Sequence, residues 1–261
     1  MRVAYKILIA CLYAFVFAPI VIILILSFNS GKGISLPISG LSLRWYAAAL
    51  TDRTFTGPLI TSLWLAAGAT AMALPPAILA ALALSRKNFR GAAAVEVLLM
   101  APLLVPTIVI GMGLLIYFSL IGLQNAPLRL LLAHWLIVFP YCTRTVLASL
   151  ARMDRTLIEG ARSLGATPLR AFLYVTLPMI SPGIIAGALF GFIISFGDVP
   201  VSLFLANART TTLPLTIMSS LEYQMDPSVI AMSALVIFGS FALALVGERL
   251  VGLHSLLGAK S

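Results

Sequence analysis

The stretch ARMDRTLIEGARSLGATPLRAFLYVTLP, residues 151–178, separates two long apolar runs and is itself neither lipid-like nor a simple solvated connector. The runs on either side, 130–150 and 180–206, are each long enough to cross a bilayer, which takes about 20 apolar residues for roughly 30 Å of hydrocarbon. Four more runs qualify, at 7–28, 59–84, 92–120 and 229–251. The fold class expected is therefore all-α: a polytopic integral membrane protein of six transmembrane helices, forming a single domain over residues 1–261. The first run resembles a signal peptide in position only. It is long for one, lacks a small-residue cleavage site and is followed by more spans, so it is read as retained.

Composition supports this. The 261 residues are 61% hydrophobic and only 10% charged, where soluble domains carry roughly 25% charge. A water-soluble fold is excluded, and so is a disordered chain, which needs low hydrophobicity and high charge. Lys and Arg total 17 against 8 Asp and Glu, a net +9 that in a soluble chain would suggest nucleic acid. Here the excess reads as topology, with no nucleic-acid partner. With both termini cytoplasmic, that side holds Arg2, Lys6, Arg86, Lys87, Arg90, Arg152, Arg155, Arg162, Arg170, Arg249 and Lys260, against Lys32, Arg44, Arg53, Arg129 and Arg209 opposite. Cys11 and Cys142 lie in apolar runs and offer neither a disulfide framework nor a metal site.

Prolines 19, 75, 76, 102, 106, 140 and 182 and the Gly111-Met112-Gly113 triplet fall inside the runs. Each proline frees backbone carbonyls that neighbouring helices or a wet cavity must satisfy, so kinked helices in a bundle are expected. No internal repeat is evident, which argues against inverted-repeat secondary transporters.

Within 151–178, Leu157, Ile158, Ala161 and Leu164 recur at helical spacing, with Arg155, Glu159 and Arg162 elsewhere around the same turns. Gly165 suits a left-handed cap. Thr167-Pro168 begins a second helix as N-cap and first residue, with Leu169, Phe172 and Leu173 as its apolar face. Two short helices joined by a glycine turn follow. Their apolar sides need cover, either lipid headgroups or a groove on a partner protein, and composition leaves both open.

Glu159-Gly160-Ala161, Gly165 and Val175-Thr176-Leu177-Pro178 together resemble the "EAA" signature of permease subunits of bacterial ABC importers, departing only at Gly160 and Val175. The segments Leu41-Ser42-Leu43-Arg44-Trp45-Tyr46, Pro102-Leu103-Leu104-Val105-Pro106, Ser195-Phe196-Gly197-Asp198 and Thr212-Leu213-Pro214-Leu215 are similar to the second permease of the spermidine/putrescine-type branch. The resemblance implies a type I importer fold in the bacterial inner membrane and pairing with a second permease subunit as a heterodimer. It also implies an ATPase homodimer carrying ATP and Mg, and a periplasmic binding protein that delivers a small polar solute. The coupling residues it implies are Glu159, Gly160, Ala161, Arg162, Leu164 and Gly165. Polyamine comes first among solutes, with opine, aminoethylphosphonate, thiamine or iron carried by related permeases. Where polyamine permeases show two adjacent acids, this chain has Gly197-Asp198.

No phosphate loop occurs; Gly31-Lys32 lacks the preceding spacing. Neither a cofactor nor catalysis is expected on this chain. Asp198, Arg144 and Ser195 are the candidates for the substrate pathway, because ionisable groups inside spans are costly. Asp198 would either meet a cationic solute or pair with a cationic side chain or helix terminus of a neighbouring span. Arg144 would snorkel or meet an anion. His134, beside Trp135, reads as an interhelical hydrogen-bonding residue. Glu96 and Glu248 fall near the inner interface, Trp45-Tyr46 suits an interfacial belt or a docking surface, and 207–227 an outer gate or re-entrant segment. The competing classes are a membrane-embedded enzyme, which would need converging acid, base and nucleophile groups at one depth, and a self-sufficient channel or secondary transporter.

Overall fold

The computed structural model describes residues 2–33, 37–86, 91–223 and 226–251. In chain order its helices are α1 (Arg2–Ser27), α2 (Arg44–Thr51), α3 (Arg53–Leu84), α4 (Ala92–Leu104), α5 (Thr107–Leu120), α6 (Ala126–Ala151), α7 (Thr156–Ser163), α8 (Pro168–Ala171), α9 (Leu177–Phe196), α10 (Pro200–Leu205), α11 (Leu213–Tyr223) and α12 (Pro227–Val251). A π-helical turn, Phe172–Thr176, joins α8 to α9. Among the described residues there is no β-strand, only isolated bridges pairing Asn29 with Leu41 and Asn207 with Thr210. Lys87, Arg90 and Lys260, which contribute to the charge bias, lie outside the described residues, as do positions 224 and 225 of the 207–227 segment.

Five helical stretches are long and apolar enough to cross a membrane: Tyr5–Ser27, Arg53–Leu84, Ala126–Ala151, Pro168–Phe196 and Pro227–Arg249. A sixth exists if α4 and α5 are taken as one, and these are bent by 99°. The single span expected over 92–120 is thus two half-helices, a sharper break than a kink. Proline 106 is the cause: its ring drives Val105 out of the helical region, to φ −94° and ψ 131°, and it has no N–H to continue the ladder.

The fifth span also differs from expectation, starting at Pro168 rather than 180 and ending at Phe196 rather than 206. The second short helix of the loop is therefore the first turn of this long one. Pro178 lacks a donor and would crowd the carbonyl four residues earlier. The π turn widens the helix there, with Leu177 N–H bonding Phe172 O, and the rod continues. At the other end Gly197 stops it, and the chain restarts as α10.

The chain divides into two compact units. One comprises the described residues up to Leu59 with Leu215–Phe241. Its core is Tyr46, Ala231 and Ala234, with Leu24, Phe28, Trp45 and Leu235 against them. Tyr46 is only 9% exposed, packs its ring at a tilt against Phe28 with centroids 5.3 Å apart and shares a 2.6 Å hydrogen bond with Ser27 Oγ. It is a core residue of this unit, with Trp45 packed beside it. Along α1 most large side chains are exposed, and Cys11 with them.

The other unit, Ile60–Pro214 with the last turns of α12, is organised on α6. Asn125 caps that helix, its Oδ1 accepting from Leu128 N–H at 2.9 Å. One core gathers Leu65, Ala73, Ala77, Leu130, Ile137, Val138, Val201 and Leu205, and a second gathers Ala81, Val146, Leu150 and Ile180. Against α6 the rod α9 presents a small residue every fourth position: Gly183, Gly187, Gly191, then Ser195, all buried. A methyl group on Gly183 would lie 2.8 Å from Thr145 O, one on Gly187 2.6 Å from Thr145 Oγ1, and one on Gly191 2.7 Å from Val138 Cγ1. Small residues let two membrane helices approach until backbone dispersion contacts hold them, since lipid gives no hydrophobic drive to helix pairing. Cys142 Sγ adds a weak hydrogen bond to Gly187 O at 3.4 Å, from a buried position where it behaves as a small apolar residue.

Candidate functional site

The loop that leaves this helix pair is ordered by its own backbone chemistry. Asp154 Oδ1 accepts from Thr156 N–H at 2.9 Å, opening α7, and that bond holds the exposed carboxyl below the usual carboxylate range. Arg155 hydrogen-bonds through its guanidinium to the carbonyl of Ser85, just past the end of α3, where helix carbonyls lack intrahelical partners. At the far end Gly165 adopts φ +88°; its N–H bonds Arg162 O at 3.0 Å and Ala166 N–H reaches back to Ala161 O at 3.0 Å. This is a complete Schellman closure, with Ala161 and Ala166 both half-buried. Thr167 Oγ1 then accepts from Arg170 N–H at 3.3 Å and starts the rod.

The apolar residues of α7 do not form one buried face. Ile158 and Ala161 turn inward, whereas Leu157 is exposed and Leu164, on the tip, is 91% exposed. Leu169, Leu173 and Tyr174 on the rod's first turns are exposed too, among the exposed Glu159, Arg162 and Arg170. Gly160 has nothing within 4 Å of where a Cβ would be, so its lack of a side chain serves no packing need within this chain. The same holds for Gly165, where backbone conformation is what demands glycine.

At the opposite end of the rod, Asp198 Oδ2 accepts from Val201 N–H at 3.1 Å and Ser202 N–H at 3.0 Å, and lies 3.3 Å from Ser202 Oγ. Asp198 is 8% exposed and its carboxylate caps α10. Ser195 Oγ is 2.8 Å from His134 Nδ1, and Ser202 Oγ is 3.1 Å from His134 Nε2. The structure thus brings together Ser195 and Asp198, two of the three pathway candidates, with His134 and Ser202. Arg144 is elsewhere, on the exposed side of α6, and no hydrogen bond or ion pair to it occurs among the described residues. Glu96 is exposed on α4 and Glu248 half-buried on α12. Gly111 of the proline-broken third span abuts α10, a methyl there lying 2.9 Å from Phe204 Cδ2 and 3.1 Å from Val201 Cα. Ser202 and the Gly183–Ser195 ladder were missed from sequence, although a small residue at every fourth position is a readable signal.

Residues 73–255 match the family described as "Binding-protein-dependent transport system inner membrane component". The chain is 33% identical over 232 residues to the putrescine transport system permease protein PotI of Escherichia coli (strain K12), covering 86% of this chain and 82% of the relative. It is also 33% identical over 236 residues to the spermidine/putrescine transport system permease protein PotC of Haemophilus influenzae, covering 90% and 91%. A chain in the crystal structure of a bacterial ABC transporter involved in alginate import has the same fold, with TM-score 0.74 over 95% of each chain at 16% identity.

Proposed function

The chain belongs to the family of binding-protein-dependent transport system inner membrane components, and on that premise we propose that it is the polyamine-translocating permease subunit of an ABC importer, driven through residues 151–178. It is a multi-pass inner-membrane protein and a non-catalytic subunit; ATP and Mg belong to a partner ATPase homodimer. Its permease relatives named for putrescine and spermidine support a polyamine as the solute. A second permease subunit completes the pathway, a periplasmic protein delivers the solute, and both termini face the cytoplasm, as the charge bias supports.

The observation that carries the coupling role is Leu164: an apolar side chain 91% exposed at the tip of a rigidly capped turn, on the segment joining the glycine-packed helices α6 and α9. Exposed leucine on an ordered tip is an anchor for a protein groove, with Glu159, Gly160, Ala161, Arg162 and Gly165 shaping and orienting it. Asp198 and Ser195 act on the pathway through the helix break they hold. Arg144, a cation, suits an acidic group on a neighbouring chain better than a polyamine.

The test is crosslinking from a photoreactive residue at position 164 in the complete assembly in membranes. Capture of the ATPase supports the reading, and capture of lipid alone overturns it. Uptake of labelled putrescine and spermidine by the reconstituted importer tests the solute separately.

A further inference from the structure

His134 is wholly buried in the first half of α6 and touches both sides of the break in the fifth span from a third helix. Its Nδ1 faces Ser195 Oγ on the last turn of α9 at 2.8 Å; its Nε2 faces Ser202 Oγ on α10 at 3.1 Å and Asp198 Oδ2 at 3.9 Å. Counting protons through these contacts leaves one arrangement. Asp198 Oδ2 already accepts two backbone N–H groups, so its 3.3 Å contact with Ser202 Oγ is a hydrogen bond only if the hydroxyl donates. Ser202 Oγ must then accept from His134 Nε2–H, and the bare Nδ1 accepts from Ser195 O–H. The other neutral tautomer turns the Ser202 proton toward the ring and leaves two oxygens facing each other with no proton between them. A doubly protonated ring strands the Ser195 hydroxyl.

We propose that His134 is a positioning residue that sets the angle between α9 and α10, held as the Nε2–H tautomer in a one-way hydrogen-bond chain from Ser195 through His134 and Ser202 to Asp198. The first two links join different helices, α9 to α6 and α6 to α10, and the third ties Ser202 to the connection that opens α10, so both sides of the break are held through α6. Its effect extends further, because Pro200, Val201 and Phe204 of α10 rest on Gly111 of α5, the half-helix beyond the other break. One imidazole orientation therefore holds two discontinuous spans in register. This role does not depend on which solute is carried or on what seats the 151–178 tip.

The sequence contains two histidines, so the full chain with His254→Gln, labelled with 15N-histidine and reconstituted in lipid vesicles, reports His134 alone by solid-state NMR. The expected spectrum shows one neutral ring, protonated at Nε2 and bare at Nδ1. An Nδ1–H tautomer, an imidazolium or an averaged mixture overturns the proposal. In the complete assembly, His134→Ala is expected to lower solute-stimulated ATPase about tenfold, the scale of one lost buried hydrogen bond. His134→Gln, whose amide can still donate to Ser202, is expected to restore it to within about threefold. His134→Asn, too short to reach Ser202, is expected to stay low. Equal activity of the Gln and Asn variants, with both assembled to the same extent, also overturns it.

Discussion

A Cβ on Gly183 would lie 2.5 Å from Ser149 Cβ, so α9 meets α6 there with no room for a side chain of its own. Gly183→Val must push the helices apart. The expected cost is about 1–3 kcal/mol, as for overpacked cores, read as a lower unfolding temperature of the purified chain. Gly113→Ala, inside α5 where nothing lies within 4 Å, is the matching control and should not lower that temperature.

Two glycines in the 151–178 segment are expected to respond in opposite directions. Gly160→Ala meets no atom and gains helix propensity, stabilising α7 by up to about 1 kcal/mol. Gly165→Ala also meets no atom, yet forces a side chain into φ +88° and should cost about 1–2 kcal/mol. Amide exchange across 156–166 is expected to slow in the first and quicken in the second, with transport falling only in the second.

Leu164→Ser removes an anchor that makes little contact with its own chain. Stability should change by no more than about 0.5 kcal/mol. Affinity for the ATPase should fall by about 2 kcal/mol, or roughly 30-fold, measured by titrating ATPase onto the permease in detergent. An unchanged affinity would remove Leu164 from the interface.

The opening of α7 carries a pH expectation. Asp154 is held below its ordinary value by Thr156 N–H, so the stability it adds is fully present above about pH 4 and disappears as acid protonates the folded carboxylate. Between about pH 8 and about pH 5 the first turn should show constant exchange protection once intrinsic rates are corrected. Stronger acid should loosen it, and Asp154→Asn should abolish that acid transition.

Much of the fold was legible because membrane helices declare themselves by length and apolarity, and because the punctuation of 151–178 is local. Thr167, Pro168 and Gly165 each do what their backbone preferences dictate. The breaks were harder to read. Hydropathy is blind to direction, so 92–120 scores as one span although Pro106 turns it by 99°. Pro178, the last residue of the stretch read as a loop, lies inside the long helix behind a π turn in which Leu177 N–H bonds Phe172 O. Asp198 drew notice as a costly charge, but its partners are backbone N–H groups of the helix it starts and a hydroxyl four residues on, which no composition reveals. The clustering of Ser195 with His134, 61 positions apart, required knowing that the glycine ladder of α9 runs antiparallel along α6.

The unbroken run Pro168–Phe196 is 29 residues long, or roughly 43 Å at helical rise, while the oily layer it crosses is about 30 Å deep. A shaft that overshoots its bearing works like an axle. A push applied at one end would reach the other as a tilt or a twist, since no linker interrupts the run.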